Sequence, residues 1–517
     1  LLRIAVPLML GGILGALIFL SLYGTEFFSW PGPGDFSSIT IVVLLVSLPV
    51  AAIASAWLSK TKHGSKLPGM VVIFIIGILV SPAAAGIAVV VNSSESLVYG
   101  RLEARNFYVE PGLQSDSGSI GTTVKVWSSK ETLNLTAVNT LTRSKSELIS
   151  QSVDSRSIES SSTSYKTDFP YLHTLSFEVA GAYELFETSE PRQKDFTILR
   201  EEIQTTENCQ VGLVYPTFTW AAYNSGAEKN LYTVPIGTWV DSLSPISGNR
   251  EDYHTHSVSS SLGRVLLEQV DCMTPLSDSD LHETNDWANL DLIVISGHSE
   301  FWTSEMLDHV EKFVRDGGNL AIFSGNVAYK DFEISDKGIR FTKLWAEGGL
   351  GEETLLGSAF RYGGYSPTQK FDASQAADLG LTEQEFAGSD GMWALQPDHP
   401  IFQGTNLRYL ESFGVAGKIH YQEMDGVPLE KESFAIDRRA YSGPVSDEGV
   451  LAYSYASYDQ ESITKHGSIV EFDLGRGHVV NLGSLGWGNS VASDKAAKNI
   501  ALNTISYLLG ENAQVLP

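Results

Sequence analysis

The sequence DLIVISGHSEFW at 291–302, TSEMLDHVEKFVRDGG at 303–318 and NLAIFSGN at 319–326 decides the predicted fold. Residues 292–295 are four consecutive apolar strand formers, which is typical of a strand buried on both faces. A second such strand is predicted at 320–323, and between the two strands apolar residues recur at helical spacing. This order of strand, helix and strand predicts a βαβ unit in a mostly parallel sheet.

The ends of these elements carry polar residues. Thr303 can cap the helix and Gly317 can end it. GHSE at 297–300 follows the first strand, and SGN at 324–326 follows the second. Because ligands gather at the carboxyl ends of parallel strands, we expect any chemistry to centre on these two polar clusters.

The first 92 residues differ sharply from the rest of the chain. They contain three charge-free apolar runs, each long enough to cross a bilayer as a helix: 4–22, 39–58 and 70–91. A cleaved signal peptide is the alternative for the first run, but two more runs follow it. The prediction is a membrane anchor over residues 1–92, with three transmembrane helices in the lipid bilayer.

The charges between the apolar runs predict the orientation. The loop between the second and third runs carries three lysines within 60–66, whereas the loop before it carries Glu26 and Asp35 and no basic residue. The positive-inside rule places the lysines and the amino terminus in the cytoplasm. The prediction is a cell-membrane protein whose residues 93–517 lie outside the cytoplasm, with membrane or surface complex subunits as candidate partners.

The chain is strongly acidic, with 61 Asp and Glu against 35 Lys and Arg and a formal net charge of −26. A surface of this sign repels a phosphate backbone, so nucleic acid is excluded as a class of partner.

The chain has two cysteines, Cys209 and Cys272. Each opens a predicted strand, and neighbouring parallel strands would bring both cysteines to the same end of the sheet. A disulfide and a pair of buried free thiols both fit this placement.

Two regions follow the predicted anchor. In residues 93–200 apolar and polar residues alternate, as around Val124 and Val126, which predicts a β-sandwich domain. The Ser-rich stretch 144–164 is predicted as an exposed loop or a polar edge. From 201 to 517 strand and helix patterns alternate, which predicts an α/β domain with a mostly parallel sheet. The predicted protein is therefore multidomain.

Several short motifs occur in an order that resembles one known family. They are AGAY at 180–183, PTFTWAAYN at 216–224, GHSEFW at 297–302, the run ending at Asn326, and GSLGWGN at 483–489. Together they resemble the large (beta) subunit of N,N-dimethylformamidase, over about residues 105–510. The predicted α/β domain is also similar in sheet type to class I glutamine amidotransferases, although neither cysteine lies near the position of their nucleophile.

The resemblance implies a mononuclear ferric site. In that family Fe(III) is held by two tyrosines and a glutamate, which by motif would be Tyr183, Tyr223 and Glu300 here. The same motifs would assign proton transfer to His298 and the orientation of substrate or water to Asn326. Phenolate and carboxylate oxygens suit a hard, highly charged ion, which can polarise an amide carbonyl. The implied reaction is the hydrolysis of a small amide.

These residues also have structural explanations. Tyr183 could be a half-buried strand tyrosine, Tyr223 a packing aromatic residue, and His298 a donor to a backbone carbonyl. Glu300 differs from them, because a carboxylate directly after a buried strand is costly unless it is paired or metal-bound. Glu423, in a segment similar to an acidic segment of the family, is a further candidate.

Other chemistries and a non-catalytic role stay open. Ser299 sits between strand and helix as in a nucleophile elbow, but Phe301 stands where the closing glycine belongs. The family commonly has Asp and Tyr at these two positions, so the chain departs from it there. His254 and His256 could be a metal pair or solvated loop residues. The predicted function is a membrane-anchored, outward-facing hydrolase of small amides, and the alternative is an inactive surface binding or membrane-complex subunit.

Overall fold

The structure of the protein is a computed structural model. It describes residues 107–109, 123–151, 171–177, 179, 181–199, 209–224, 230–240, 256–284, 287, 289–335, 337–345, 351–420, 423–430, 433–457 and 462–510. Residues 102–517 form one compact unit.

Strands predominate among the described elements. In chain order they are β1 (Phe107–Val109), β2 (Thr123–Ser128), β3 (Thr132–Asn139), β4 (Lys145–Gln151), β5 (Tyr171–Ser176), β6 (Gly181–Glu187), β7 (Glu190–Leu199), β8 (Val211–Tyr215), β9 (Thr274–Ser277), β10 (Leu292–Ser296), β11 (Phe301–Trp302), β12 (Asn319–Phe323), β13 (Lys330–Ser335), β14 (Gly338–Leu344), β15 (Ala359–Tyr365), β16 (Met392–Ala394), β17 (Ser412–Phe413), β18 (Glu423–Gly426), β19 (Val450–Ala456), β20 (Lys465–Leu474) and β21 (Gly477–Asn481).

The helices are mostly short. They are α1 (Thr217–Ala222), α2 (His256–Leu266), α3 (Asp278–Glu283), α4 (Ser304–Arg315), α5 (Glu353–Leu356), α6 (Pro367–Lys370), α7 (Ala373–Asp378), α8 (Glu383–Gly388), α9 (Trp487–Ser493) and α10 (Lys495–Leu508), with a 3-10 turn at Pro400–Phe402.

A nine-stranded sheet in the order β17-β16-β19-β20-β21-β12-β10-β8-β9 forms the centre of this unit. Strands β9, β8, β10, β12 and β21 run parallel to one another. On the other side of β21 the pairings become antiparallel, through β20, β19, β16 and β17. The large sheet is therefore mixed, with one half made of parallel strands and the other half of antiparallel strands.

The predicted fold class, an α/β domain with a mostly parallel sheet behind a helical anchor, is wrong. The described residues form mostly strands, in mixed and antiparallel sheets, with few long helices. The physical reason is visible between β20 and β21, where two residues, Gly475 and Arg476, connect the strands. Gly475 has a φ of 68°, which a two-residue hairpin turn favours, and such a turn forces antiparallel pairing.

The predicted βαβ unit is present as β10, α4 and β12, with β10 and β12 paired in parallel. Thr303 caps α4, because its side chain accepts a hydrogen bond from the Met306 amide. Strand β10 is buried along its whole length and alternates between two cores. Ile293 and Ile295 pack in one core, and Leu292 and Val294 pack in the other.

Helices cover both faces of the large sheet. Met306, Val310 and Val314 of α4 pack in the core that contains Ile293. On the opposite face, buried side chains of α2 and α10 pack with Leu292. The two cores hold the central strands rigidly, so the loops at their carboxyl ends have fixed starting points.

Residues of the amino-terminal part of this unit form two small antiparallel sheets, in the orders β1-β2-β5 and β4-β3-β6-β7. Apolar side chains of both sheets share one core. The stretch 144–164, predicted as an exposed loop or a polar edge, contains strand β4 at its start, and β4 lies at the edge of its sheet. The predicted domain limits, 93–200 and 201–517, stay predictions.

The predicted membrane anchor and outward-facing location are also corrected. Within the described residues, no helix is long and apolar enough to cross a membrane. The apolar runs at 4–22, 39–58 and 70–91 lie outside the described residues, in the region 1–92 predicted as the anchor.

Cys209 and Cys272 form a disulfide, with their Cα atoms 5.4 Å apart. Each lies two residues before its strand, β8 or β9, and these strands pair in parallel as the sequence predicted. Of the two alternatives left open, the disulfide is therefore the one that the structure contains.

Candidate functional site

Two loops at the carboxyl ends of β10 and β12 begin the site. The last residues of these strands, Ser296 and Phe323, are directly paired, so the loops that follow are neighbours. Gly297 bends the first loop with a φ of 68°, and Asn326 bends the second with a φ of 56°. The two predicted polar clusters, 297–300 and 324–326, therefore meet at one edge of the sheet.

Helix α1 fixes the position of Glu300. The Thr219 hydroxyl accepts hydrogen bonds from the backbone amides of Glu300, at 2.9 Å, and Phe301, at 3.2 Å. Tyr223 is the residue that ends the same helix. One short helix thus positions both the Glu300 backbone and the Tyr223 side chain.

Three side chains bring their oxygen atoms together at this edge, and we call Tyr223, Tyr232 and Glu300 the oxygen cluster. The hydroxyls of Tyr223 and Tyr232 donate hydrogen bonds to Glu300 Oε2, at 2.6 and 2.7 Å. The two hydroxyls also contact each other. The tyrosine rings stack with their centroids 4.2 Å apart. The Tyr232 residue is 43% exposed although its hydroxyl contacts the buried carboxylate, so it forms part of the mouth of the site.

Lys330 provides the cation of the cluster. Its Nζ lies 2.9 Å from Glu300 Oε1 and donates a hydrogen bond of 2.5 Å to the Tyr232 hydroxyl. Burial would raise the pKa of Glu300, but the charges of Lys330 and His298 lower it to about 2. Glu300 is therefore a carboxylate at neutral pH.

The pKa values of the two tyrosines are raised, whereas that of Glu300 is lowered. Burial, together with the neighbouring Glu300 carboxylate, raises the pKa of Tyr223 and of Tyr232 well above the ordinary value. Both phenols therefore keep their protons and donate them to Glu300 unless a stronger cation replaces these protons.

His298 and Glu423 form a buried pair beside the cluster. His298 Nε2 lies 2.9 Å from Glu423 Oε2 and 3.8 Å from Glu300 Oε2. Burial opposes the charged imidazolium, but the Glu423 carboxylate outweighs it and the pKa of His298 is raised. The pair can hold a proton next to the oxygen cluster.

Asn326 links the two carboxylates. Its Nδ2 donates hydrogen bonds to Glu300 Oε1 and Glu423 Oε2, both at 3.2 Å. Its Oδ1 is buried, and among the described residues it has no hydrogen-bond partner. Asp425 holds the left-handed backbone of this turn, by accepting hydrogen bonds from the amides of Asn326 and Val327. A buried acceptor without a partner is available for a ligand or a water.

The structure brings together five residues that the sequence singled out: Tyr223, His298, Glu300, Asn326 and Glu423. Tyr183 lies elsewhere.

Tyr183 is on β6, and its side chain packs in the core of the two small sheets. Its ring is 4.8 Å from that of Phe177, and its hydroxyl donates to the backbone oxygen of Val179 at 2.9 Å. This is the strand-tyrosine role that the sequence left open.

Sequence reasoning missed Tyr232 and Lys330. Tyr232 lies nine residues after Tyr223 in a segment without periodicity, and Lys330 opens β13. The signal for Lys330 was a single cation a few residues after the SGN cluster, in a chain with few basic residues.

The nucleophile-elbow alternative does not fit the position of Ser299. This residue has no exposed surface, and its Oγ accepts a hydrogen bond from the Trp302 indole at 2.8 Å. For the proposed histidine pair, His254 lies outside the described residues. His256 pairs with Glu184 at 2.7 Å and stacks on Phe196, which is a structural role.

The chemistry of the oxygen cluster differs from that of common metal sites. Among the described residues, no group of three or more His, Cys, Asp and Glu side chains could hold a metal ion. The cluster instead combines one carboxylate with two phenols, all within hydrogen-bond distance. Hard oxygen donors of this kind fit a hard ion of high charge.

A family model described as N,N-dimethylformamidase beta subunit-like, C-terminal, matches residues 174–499, which is well over half of the 517 residues. The chain belongs to this family. The match includes Tyr223, Tyr232, Glu300, Asn326 and Glu423, so the whole site lies in the dimethylformamidase-like part.

Comparisons with individual proteins add little to the family. No curated protein matches the sequence significantly. Two solved structures that are similar in part are β-galactosidases, from Bacillus circulans sp. alkalophilus and from Rahnella sp. R3. They have 15% and 11% sequence identity and TM-scores of 0.28 and 0.33, over 59% and 60% of this chain. The match spans about a third of their lengths, 31% and 32%, and carries no argument about function.

Proposed function

We propose that this dimethylformamidase-like chain hydrolyses small amides at the oxygen cluster, with a mononuclear ferric ion held by Tyr223, Tyr232 and Glu300. The observation that carries the proposal is the convergence of both tyrosine hydroxyls on Glu300 Oε2, at 2.6 and 2.7 Å. This donor set has the composition that the family resemblance implies, two tyrosines and a glutamate. Tyr232 takes the place that the sequence assigned to Tyr183.

The donor set supports a trivalent ion on grounds of charge. The tyrosine hydroxyls keep their protons next to Glu300 because burial and the carboxylate both raise their pKa values. An ion that replaces these protons must stabilise two phenolates and a carboxylate together, which favours a high positive charge. When bound, such an ion supplies Lewis acidity for an amide carbonyl and for water.

The protein side chains manage the protons of the reaction. Hydrolysis adds hydroxyl to the carbonyl carbon and a proton to the leaving nitrogen, so one proton of water must be moved. The pair of His298 and Glu423, 2.9 Å apart, can accept this proton and return it to the amine. Because its pKa is raised, His298 is suited to hold a proton and donate it to the leaving amine.

Asn326 is suited to hold the attacking water. Its Nδ2 is engaged by Glu300 and Glu423, which fixes the direction of the amide group. Its buried Oδ1 lacks a hydrogen-bond partner among the described residues and can accept one from water.

The test compares Tyr232→Phe, Glu300→Ala and a control, Tyr183→Phe, with the unchanged chain after loading with ferric ion. We expect Tyr232→Phe and Glu300→Ala to lower ferric affinity by roughly a hundredfold or more, since each removes a donor. Iron content after desalting, the visible tyrosinate-to-iron absorption, and dimethylamine release from N,N-dimethylformamide are the measurements.

Tyr183→Phe is the matched control, because it makes the same chemical change in the core of the small sheets. It should retain both iron and absorption. Loss of iron in Tyr183→Phe with retention in Tyr232→Phe would instead restore the assignment made by motif. An unchanged protein that binds no iron would contradict the ferric site altogether.

A binding subunit without metal is the second candidate function. The observation in its favour is the ion pair of Lys330 with Glu300, which already neutralises the carboxylate. The same iron measurement separates the two candidates, because a binding subunit would stay free of iron after loading.

A further inference from the structure

The ammonium group of Lys330 lies among three aromatic rings. Its Nζ lies 4.1 Å from the centroid of the Tyr232 ring, 5.0 Å from that of Phe301 and 5.6 Å from that of Phe341. Its side chain is 14% exposed. Aromatic faces attract a cation, so these rings hold the ammonium at the oxygen cluster instead of releasing it to solvent.

The ammonium uses the same atoms that the proposed metal ion would use. It contacts Glu300 Oε1 at 2.9 Å and the Tyr232 hydroxyl at 2.5 Å. Both residues belong to the oxygen cluster, and the Glu300 side chain is only 3% exposed. Two cations at one buried carboxylate repel each other strongly, because little water screens them.

The place of Lys330 in the backbone does not depend on its side chain. Its amide donates to the Glu300 backbone oxygen at 3.0 Å, and residues 330 and 301 are paired in neighbouring strands. A substitution at this position can therefore remove the charge while the strand stays in register.

We infer that Lys330 is a built-in counter-cation of the oxygen cluster, which a metal ion must displace, so that this residue sets the affinity of the site for metal. The inference rests on the proposed function. In the metal-free protein Lys330 keeps Glu300 neutralised and the cluster assembled, and in the metal-bound protein the ammonium moves away from Glu300. Lys330 is thus a positioning residue that acts through Glu300.

The experiment titrates ferric-loaded protein with nitrilotriacetate and follows retained iron by elemental analysis and visible absorption. We expect Lys330→Met to retain iron at least roughly tenfold more tightly than the unchanged chain, since the competing charge is gone. Lys330→Arg keeps the charge and should resemble the unchanged chain. Lys343→Met is the control for loss of a lysine. Lys343 is on the neighbouring strand β14, and its ammonium also lies over an aromatic ring, that of Trp345.

Thermal unfolding of metal-free protein gives a second readout. Without Lys330, the buried Glu300 carboxylate loses the cation that contacts it at 2.9 Å, so metal-free Lys330→Met should melt below the unchanged chain and gain more from ferric loading. Equal chelator midpoints for Lys330→Met, Lys330→Arg and the unchanged chain would overturn the inference and leave the ferric site standing. Absence of iron from every variant would overturn both.

Discussion

Ser299 and Glu300 are adjacent in sequence but have different tasks. The Glu300 carboxylate lies in the oxygen cluster, whereas the Ser299 hydroxyl is bound to the Trp302 indole. Ser299 thus contributes to packing next to the site.

We expect Ser299→Ala to keep amine release close to that of the unchanged chain and to lower the free energy of unfolding by about 1 kcal/mol, for the lost hydrogen bond. Steady-state kinetics and urea unfolding measure the two effects. Glu300→Ala serves as the inactive reference. A fall in kcat of roughly a thousandfold or more for Ser299→Ala, with the fold retained, would return the serine to the reaction.

The choice between Tyr183 and Tyr232 shows the limit of sequence reasoning at the level of single residues. The positions of Glu300, His298 and Asn326 at one edge of the sheet were predictable from the GHSEF and SGN motifs, because each motif follows a strand whose end is fixed by burial. Tyr232 lies in a stretch whose sequence has no helical or strand periodicity, so no pattern predicts that its hydroxyl contacts Glu300.

At the scale of elements, a partly buried ion cluster connects the hairpin β20–β21 to the loop before the 3-10 turn. Glu471 accepts from His399 at 3.0 Å and from His478 at 3.1 Å. Burial opposes the charge of Glu471, but the two histidines outweigh it and lower its pKa to about 2. Burial likewise opposes the charged His478, yet Glu471 and Asp473 raise its pKa above 6.5.

These two shifts predict a pH window for stability. A lowered carboxyl pKa contributes stability above the ordinary value of 4.5, and this is lost as pH falls towards 2. A raised histidine pKa contributes stability below 6.5, and this is lost as pH rises through the folded value. Both contributions are therefore complete between pH 4.5 and 6.5.

We expect Glu471→Gln to lower the free energy of unfolding at pH 5.5 by on the order of 1 kcal/mol, a value reduced by solvent screening of a partly exposed group. Its stability should also change less than that of the unchanged chain between pH 4.5 and 2. Asp473→Asn is the control, because that side chain is 87% exposed, and its effect should be smaller. Identical acid unfolding curves for Glu471→Gln and the unchanged chain would contradict this account.

The elements themselves were predictable to different degrees. The βαβ unit was correct because helical spacing, the Thr303 cap and the fully buried strand are all local signals. The antiparallel half of the sheet was missed because β19 is buried along its length just as β10 is. The sequence of a fully buried strand is a continuous apolar run whether its neighbours are parallel or antiparallel. Only the connections between the strands determine their relative direction.

For the whole molecule, the disulfide between Cys209 and Cys272 closes a loop with a sequence separation of 63. A crosslink of this span restricts the unfolded chain, so it should contribute about 4 kcal/mol to the free energy of unfolding.

We therefore expect a reducing agent to lower the urea midpoint of the unchanged chain. The Cys209→Ala, Cys272→Ala double variant should unfold at the reduced midpoint with or without reductant. If the double variant unfolds where the oxidised chain does, the disulfide adds no stability. The cysteines precede β8 and β9, at the amino ends of these strands, whereas the oxygen cluster follows β10 at its carboxyl end. The proposed ferric binding should therefore be the same in the double variant, measured without reductant below its melting temperature, as in the unchanged chain.

The wide spacing of the site residues along the chain affects the order in which contacts form during folding. Tyr223 and Glu300 are 77 residues apart, and Asn326 and Glu423 are 97 apart, whereas β20 and β21 meet across two residues. Contacts between distant segments form slowly because a long loop must first close. The hairpins of the antiparallel half should therefore form early during folding, and the oxygen cluster should assemble later. A refolding chain would complete this edge of the sheet only after these distant segments had joined.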